Sequence, residues 1–154
     1  MHPVIERLLT HPLSIATAES CTGGQLAAAL TAAAGSSAYF HWGVVTYSNE
    51  AKQSLLGVAA DTLSTHGAVS EAVVREMAEG ARRLSGCQFA LATSGVAGPG
   101  GGSADKPVGL VWMALAHEGG CIAFSECFDG DRAAVQSRAV TACLDRLLAA
   151  LTTA

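Results

Sequence analysis

A serine and a cysteine stand side by side at a predicted turn between a strand and a helix. A short apolar run precedes Ser20 and Cys21, and an Ala/Leu-rich segment follows them. Such a turn places its side chains at the sheet edge, beside the first free N–H groups of the helix. Either residue could be a nucleophile, with main-chain N–H groups of Thr22, Gly23 and Gly24 as an oxyanion or phosphate site. The same residues also suit a simple helix cap, because Ser, Thr and Gly are favoured there.

The chain has two lysines, Lys52 and Lys106, so the position of each is informative. Lys52 follows Tyr47 by five residues, at the start of a predicted helix that comes after a predicted strand. Because the carboxyl ends of parallel strands gather at one sheet edge, Ser20, Tyr47 and Thr93 could meet there. Lys52 would act as a base for Ser20 if burial lowered the pKa of its ammonium, with the Tyr47 hydroxyl sharing the proton. The ordinary alternatives are a solvated helix lysine and a tyrosine with its ring in the core.

A glycine-rich loop follows the next predicted strand. Residues 95–103 hold five glycines and a proline, so main-chain amides can approach a phosphate or a polar small molecule closely. The loop lacks the endings of the Walker A and G-x-G-x-x-G motifs, and a flexible surface loop is the alternative. Arg132 could pair with a phosphate or with an acidic neighbour. The candidate substrate contacts of the loop are Gly95, Gly98, Gly100 and Gly101.

Two further residues compete for catalytic roles. Cys21 would form an amidase set with Glu19 and Lys52, although the neighbouring carboxylate would raise the pKa of the thiol and weaken the nucleophile. His66 precedes a glycine and could serve as a base for Ser20, but a loop histidine is more often simply exposed. The histidines and cysteines show no metal-ligand spacing, so we expect neither a metal nor another cofactor.

Composition narrows the class of protein. The 154 residues are 50% hydrophobic and 14% charged, and the net charge is −4, so we expect one domain spanning 1–154 with a sizeable core. No Lys/Arg cluster occurs, which argues against nucleic acid as a partner. No apolar run approaches the roughly 20 residues of a membrane span. Five cysteines without a C-x-x-C pair favour reduced thiols and a cytoplasmic location.

Helical and strand patterns alternate along the chain. Predicted helices cover 3–10, 25–33, 50–56 and 71–84, with a helical turn near 61–65 and a last helix opening at 130–132. Predicted strands cover 13–18, 39–47, 89–93, 108–116 and 121–128, with a hairpin signal at 118–120 between the last two. This order predicts a layered α/β domain with a mixed, mostly parallel sheet.

Six short motifs occur in a fixed order. They are AESCTGG (18–24), GVVTYSNEAK (43–52), GAVS (67–70), TSGVAGP (93–99), KPVG (106–109) and GDR (130–132). Together they resemble the CinA C-terminal domain family, whose stand-alone form is the PncC type of nicotinamide-nucleotide amidase, and the resemblance covers nearly the whole chain. It implies a three-layer α/β/α sandwich and hydrolysis of nicotinamide mononucleotide (NMN) to nicotinate mononucleotide and ammonia, in pyridine-nucleotide salvage.

The resemblance also implies roles for particular residues. The family's Ser nucleophile, Lys and Tyr fall on Ser20, Lys52 and Tyr47, with no metal in the reaction and a possible homodimer. Longer family members carry a molybdopterin-binding-like domain, and we expect its pyrophosphatase activity to be absent. Two departures are Ala34 in place of a proline and Gln136 in place of a frequent arginine; the second bears on nucleotide affinity. The competing interpretation is a non-catalytic nucleotide-binding or regulatory domain linked to competence and DNA damage.

Overall fold

Helix ends fall at the capping residues that the sequence indicates. In the computed structural model, which describes residues 1–152, Ser48 and Ser70 each begin a helix. Their hydroxyls accept main-chain N–H bonds of 3.0 and 3.2 Å from residues three positions later. Gly57 and Gly86 end the same two helices with φ of 73° and 71°, a conformation that glycine adopts without steric cost. Local capping therefore fixes where these helices start and stop.

The elements follow the predicted order, with ends that differ by one or two residues. The helices are α1 (Pro3–Thr10), α2 (Gln25–Thr31), α3 (Asn49–Leu56), α4 (Ala60–His66), α5 (Glu71–Ser85) and α6 (Arg132–Thr152), with a 3₁₀ helix at Ser36–Ala38. The strands are β1 (Ile15–Glu19), β2 (Phe40–Val45), β3 (Phe89–Gly95), β4 (Leu110–His117) and β5 (Gly120–Cys127). The predicted end of the domain at 154 lies outside the described residues.

The five strands form one mixed sheet in the order β2-β1-β3-β4-β5. β1 pairs in parallel with β2 and β3, whereas β3 with β4 and β4 with β5 pair antiparallel. The mixed sheet is therefore confirmed. Four strands share one direction, as a mostly parallel sheet requires. Two of the four strand pairs are nevertheless antiparallel, because β4 runs opposite to both of its neighbours. The order places β1 between its two parallel partners, where a crevice opens at the carboxyl ends of the strands.

Helices cover both faces of the sheet, so the three-layer α/β/α sandwich is confirmed. One core lies between the sheet and α1, α2 and α6, and includes Leu8, Leu26, Leu91 and Leu147. The other core lies between the sheet and α3, α4 and α5, and includes Leu56 and Met77. No helix within residues 1–152 is both long and apolar enough to cross a membrane.

Small residues let α5 pack closely on its face of the sheet. That face carries six buried alanines: Ala16, Ala18, Ala90, Ala92, Ala114 and Ala116. On α5 itself, a Cβ at Gly80 would lie 2.1 Å from the carbonyl oxygen of Leu56, so no larger residue fits without displacing the backbone. This close contact holds the end of α3 in place, and α3 carries Lys52 into the crevice.

Candidate active site

The carboxyl ends of the three parallel strands bring the predicted catalytic residues together. Glu19, at the end of β1, pairs with Val45 of β2 and Thr93 of β3. Ser20 directly follows Glu19, and Lys52 lies in the first turn of α3, directly beyond β2. A cleft of about 320 Å³ opens at this edge, and both Ser20 and Lys52 line it.

Lys52 is positioned to exchange a proton with Ser20. Its Nζ lies 3.1 Å from the Ser20 Oγ, and it donates to the main-chain carbonyls of Thr46 and Tyr47 at 2.9 and 3.3 Å. A neutral amine has two N–H groups and one lone pair. When the amine is protonated, its third N–H donates to Ser20 Oγ; when it is neutral and the two carbonyls accept its two N–H groups, the lone pair faces Ser20 Oγ and can accept the hydroxyl proton. The site can therefore orient a neutral lysine as a general base.

Burial favours that neutral form. The Lys52 side chain is 1% exposed, and neither of the ion pairs found within residues 1–152 includes it. Removal from water lowers the pKa of the Lys52 ammonium below its ordinary value. This is the direction that the sequence-based hypothesis requires of a lysine base.

Tyr47 contacts the pair through its main chain rather than its ring. Its side chain is 59% exposed, and its hydroxyl accepts a 2.8 Å hydrogen bond from Arg132. The atom that contacts both Lys52 and, at 3.5 Å, the Ser20 hydroxyl is the Tyr47 carbonyl oxygen. Tyr47 thus lines the cleft as predicted, while the predicted sharing of a proton by its hydroxyl is not the contact observed.

The glycine-rich loop and Arg132 form the opposite wall of the cleft. Four predicted contacts line it: Gly95, Gly98, Gly100 and Gly101. Arg132 also lines it and donates a 2.7 Å hydrogen bond to the Gly98 carbonyl. Of the two partners considered for Arg132, the acidic neighbour is not found within residues 1–152, where its acceptors are the neutral Gly98 carbonyl and the Tyr47 hydroxyl. None of the residues that line this cleft is acidic, and Arg132 contributes a positive charge to the lining.

The turn residues after Cys21 are not among the residues that line the cleft, so the structure does not place them where the predicted contact with substrate requires. Thr22 is fully buried and donates to the Glu19 carboxylate at 2.6 Å. The Gly23 N–H already bonds the Ser20 carbonyl at 3.0 Å, and Gly24 is the left-handed residue that precedes α2, with φ of 99°. These residues shape the turn, and the Gly23 N–H is not free for an oxyanion.

The two rival catalytic residues are poorly placed. Cys21 lines the cleft, but burial, with a smaller contribution from the Glu19 charge, raises the pKa of its thiol to about 11. Such a thiol is protonated near neutral pH and is a weak nucleophile. His66 is exposed at the end of α4, where its carbonyl accepts a 2.5 Å hydrogen bond from Lys106, and it does not line the cleft.

The sequence reasoning did not predict where several neighbours of the cleft lie. Ala68 and Ser94 line the cleft and bond to each other, with the Ser94 hydroxyl donating to the Ala68 carbonyl at 2.8 Å. Gln136 donates to the Cys21 carbonyl at 3.0 Å and accepts from Gln25 at 2.9 Å, so it packs behind the turn. The GAVS motif, which contains Ala68, was the sequence feature that could have indicated a position in the cleft. Gln136 is fixed by a contact 115 positions away, which no local pattern shows.

The described residues offer no obvious metal centre. Within residues 1–152, no group of three or more His, Cys, Asp or Glu side chains is placed to hold a metal ion. The polar side chains that line the cleft include Ser20, Lys52 and Arg132.

Comparison with known proteins shows the family of this chain. A profile of the CinA C-terminal domain matches residues 1–151. The chain belongs to the CinA C-terminal domain family. A CinA-like protein of Geobacter sulfurreducens is 53% identical over 142 residues, which are 92% of this chain but 34% of that protein. This chain thus spans about a third of that relative's length.

Two other family members match over most of both chains. The nicotinamide-nucleotide amidohydrolase PncC of Escherichia coli K12 is 53% identical over 135 residues, covering 87% of this chain and 82% of that protein. The crystal structure of a competence damage-inducible protein A from Klebsiella pneumoniae superposes with a TM-score of 0.92 at 46% identity, covering 97% and 92% of the two chains. The match to PncC supports an amidohydrolase, and the superposition supports the α/β fold.

Proposed function

We propose that this protein is an amidohydrolase that converts NMN to nicotinate mononucleotide and ammonia in pyridine-nucleotide salvage. The observation that carries the proposal is the 3.1 Å contact between Lys52 Nζ and Ser20 Oγ inside a cleft that Arg132 also lines. The PncC relative supports the choice of a nicotinamide-nucleotide amide. Burial that favours a neutral Lys52 suits proton transfer better than phosphate binding, so it favours an enzyme over a domain that only binds the nucleotide.

In the first half of the proposed reaction, Ser20 Oγ attacks the carboxamide carbon while its proton moves to Lys52 Nζ. The C–O bond forms and the carbonyl π electrons move to oxygen, giving a tetrahedral oxyanion. Lys52 then returns the proton to the amide nitrogen. The C–N bond breaks, ammonia leaves, and an ester of Ser20 remains.

In the second half, a water molecule attacks the ester carbon and gives its proton to Lys52. Collapse of the second tetrahedral intermediate breaks the bond to Ser20, whose oxygen takes the proton back. The oxyanion is held by a main-chain N–H group of the turn after β1. Since the Gly23 N–H bonds the Ser20 carbonyl and Cys21 lines the cleft, we assign this role to the Cys21 N–H.

The anionic end of the substrate binds at the opposite wall in this proposal. Arg132 is held by the Gly98 carbonyl and the Tyr47 hydroxyl and has no acidic partner within residues 1–152, so its charge is available for the nucleotide phosphate. Tyr47 then serves both ends of the site, because its carbonyl orients Lys52 and its hydroxyl orients Arg132. Nicotinamide riboside, which lacks the phosphate, should be a much poorer substrate than NMN.

The decisive experiment measures ammonia released from NMN by the purified protein. Ser20→Ala should abolish release and keep the fold, and Ser64→Ala, an exposed serine on α4, is the matched control. Activity of Ser20→Ala within tenfold of the unaltered protein would place the nucleophile elsewhere. Binding of NMN without any ammonia release would instead favour the non-catalytic regulatory domain.

We also propose a location and an oligomeric state for the enzyme. Its five free cysteines suit a reducing, cytoplasmic location. A homodimer follows from the family resemblance alone, and light scattering of the purified protein would test it.

A further inference from the structure

A buried carboxylate lies directly before the proposed nucleophile, and the mechanism above does not use it. Glu19 is 0% exposed, yet three donors satisfy it: the Thr22 hydroxyl at 2.6 Å, the Leu26 N–H at 2.8 Å and the Ala27 N–H at 3.0 Å. An isolated buried charge would be expensive, so three hydrogen bonds on one carboxylate indicate a built arrangement. The carboxylate joins the end of β1 to the start of α2, across the turn that carries Ser20.

The hydrogen bonds around Glu19 form a chain with one possible direction. A carboxylate only accepts, so the Thr22 hydroxyl must donate to Glu19. The Thr93 hydroxyl, 2.7 Å from Thr22 Oγ1, must then donate to Thr22. Thr93 Oγ1 is left to accept from the Ser20 N–H at 3.4 Å, while the Thr93 carbonyl accepts the same N–H at 3.0 Å. The charge of Glu19 thereby orders a chain that ends on the backbone of Ser20.

We propose that Glu19 is a positioning residue for Ser20: its ionised carboxylate, acting through Thr22 and Thr93, fixes the turn so that Ser20 Oγ stays within reach of Lys52 Nζ. The inference rests on the proposed function, because it concerns the same nucleophile. Glu19 does not line the cleft and touches no substrate. Its loss should therefore slow the attack and leave substrate binding unchanged.

The substitution Glu19→Gln removes the charge at nearly constant volume. A glutamine side chain has one acceptor oxygen, and its NH2 group would face an N–H or a hydroxyl that now needs an acceptor. The fixed donor-to-acceptor order of these hydrogen bonds is then lost, and the turn that carries Ser20 is held less firmly. A displacement of about 1 Å at a reacting group costs roughly 100-fold in rate, so we expect kcat to fall about 10- to 100-fold.

A second pair of variants tests the chain without touching the carboxylate. Thr22→Val removes the hydroxyl that links Glu19 to Thr93 and keeps the shape of the side chain. Thr22→Ser retains the hydroxyl and should restore kcat. If Glu19→Gln does not fold, the comparison of Thr22→Val with Thr22→Ser still tests whether the hydrogen-bond chain positions Ser20.

The protein offers a matched control in Glu76, a second carboxylate that accepts a main-chain N–H and a threonine hydroxyl at the start of a helix. Glu76 accepts the Ala59 N–H at 2.9 Å and the Thr62 hydroxyl at 2.6 Å, at the start of α4 and outside the cleft lining. Glu76→Gln removes the same chemistry from a helix that carries no catalytic residue. It should lower the melting temperature and leave kcat within about twofold, as a substitution remote from the site does.

The experiment measures kcat and KM for NMN together with melting temperatures. A fall in kcat at unchanged KM for Glu19→Gln and Thr22→Val, but not for Glu76→Gln or Thr22→Ser, would support the proposal. Wild-type kcat in both Glu19→Gln and Thr22→Val would overturn it. An equal loss of kcat in Glu76→Gln would also overturn it, because the loss in Glu19→Gln could then be explained by lower stability of the fold.

A second readout separates this inference from the proposed function. A fluorophosphonate phosphonylates an activated serine regardless of its natural substrate, and the rate of labelling at Ser20 can be followed by mass spectrometry. Labelling should be about tenfold slower in Glu19→Gln, and an unchanged rate would refute the positioning role. Absence of ammonia release from NMN by wild-type protein, together with rapid labelling of Ser20, would refute the substrate and leave the role of Glu19 to be judged by labelling.

Discussion

The protonation state of Lys52 provides the sharpest test of the mechanism. The base must be neutral, so log kcat/KM should fall as pH falls through the pKa of Lys52 in the free enzyme. Burial lowers that pKa, so the acidic limb should lie below the pH range in which exposed lysines titrate. Near neutral pH, a larger fraction of Lys52 is therefore neutral, and able to act as a base, than of a lysine exposed to solvent.

Two substitutions separate a base from a fixed positive charge. Lys52→Arg keeps the charge but cannot lose its proton, and Lys52→Met keeps the volume of the stem but removes the amine. General-base catalysis contributes roughly 10²- to 10⁴-fold, or about 3–5 kcal/mol of activation free energy. Because Nζ makes the 3.1 Å contact with Ser20 Oγ, both variants should lose activity on that scale.

The assay is ammonia release from NMN across a series of buffers at constant ionic strength. Lys106→Met, which removes the other lysine of the chain, should keep the acidic limb of the wild-type profile. Activity of Lys52→Arg within tenfold of wild type would refute the reasoning. The residue would then act as a fixed cation, and the base would have to be sought elsewhere in the cleft.

The same depressed pKa predicts how stability changes with pH. In the unfolded chain Lys52 regains its ordinary pKa, so between the two values the unfolded state binds more protons and stability falls as pH falls. Below the folded-state pKa the whole penalty is present, and above the unfolded-state pKa it is absent. Lys52→Met lacks this group, so its melting temperature relative to wild type should rise as pH is lowered from about 10.

Four further outcomes can be measured. Cys21→Ser should keep kcat within about threefold, because a thiol of pKa about 11 is protonated in the cleft near neutral pH; loss of all activity would revive the cysteine nucleophile. Tyr47→Phe should raise KM for NMN about threefold at similar kcat, since Arg132 loses one of two acceptors; a tenfold fall in kcat would instead indicate proton transfer by the hydroxyl. Gly80→Ala should lower the free energy of unfolding by about 2 kcal/mol or more in chemical denaturation, because its Cβ would meet the Leu56 carbonyl at 2.1 Å. Exhaustive chelation with EDTA should leave activity unchanged, and activity restored by one added divalent ion would refute the metal-independent mechanism.

Local patterns were enough to predict much of the fold. Capping at Ser48 and Ser70, left-handed glycines at Gly57 and Gly86 and the apolar periodicities are short-range features. They fix the type and order of the elements, because a helix or strand depends on neighbours a few residues away. The even division of strand pairings was not predicted, since pairing joins segments that are far apart in the sequence.

The candidate site divides in the same way. Ser20 and Lys52 were predicted from residue type, a strand-to-helix turn and resemblance to a family, and the structure brings their side chains into contact. The sequence could not show that Tyr47 meets Lys52 through its carbonyl and Arg132 through its hydroxyl. The direction in which the backbone turns after β2 decides which atoms of Tyr47 face Lys52 and Arg132, and that direction is set by tertiary packing.

The tertiary structure also decided what surrounds each candidate. Adjacent residues Glu19, Ser20 and Cys21 are similar in sequence context, yet one is a buried hydrogen-bond acceptor, one faces Lys52, and one is a thiol of raised pKa. Burial, partners and pKa arise from long-range packing of β1 against β2, β3 and α2. The sequence by itself therefore determined the elements and the candidate chemistry, and the packing of those elements determined which side chains can take part in it.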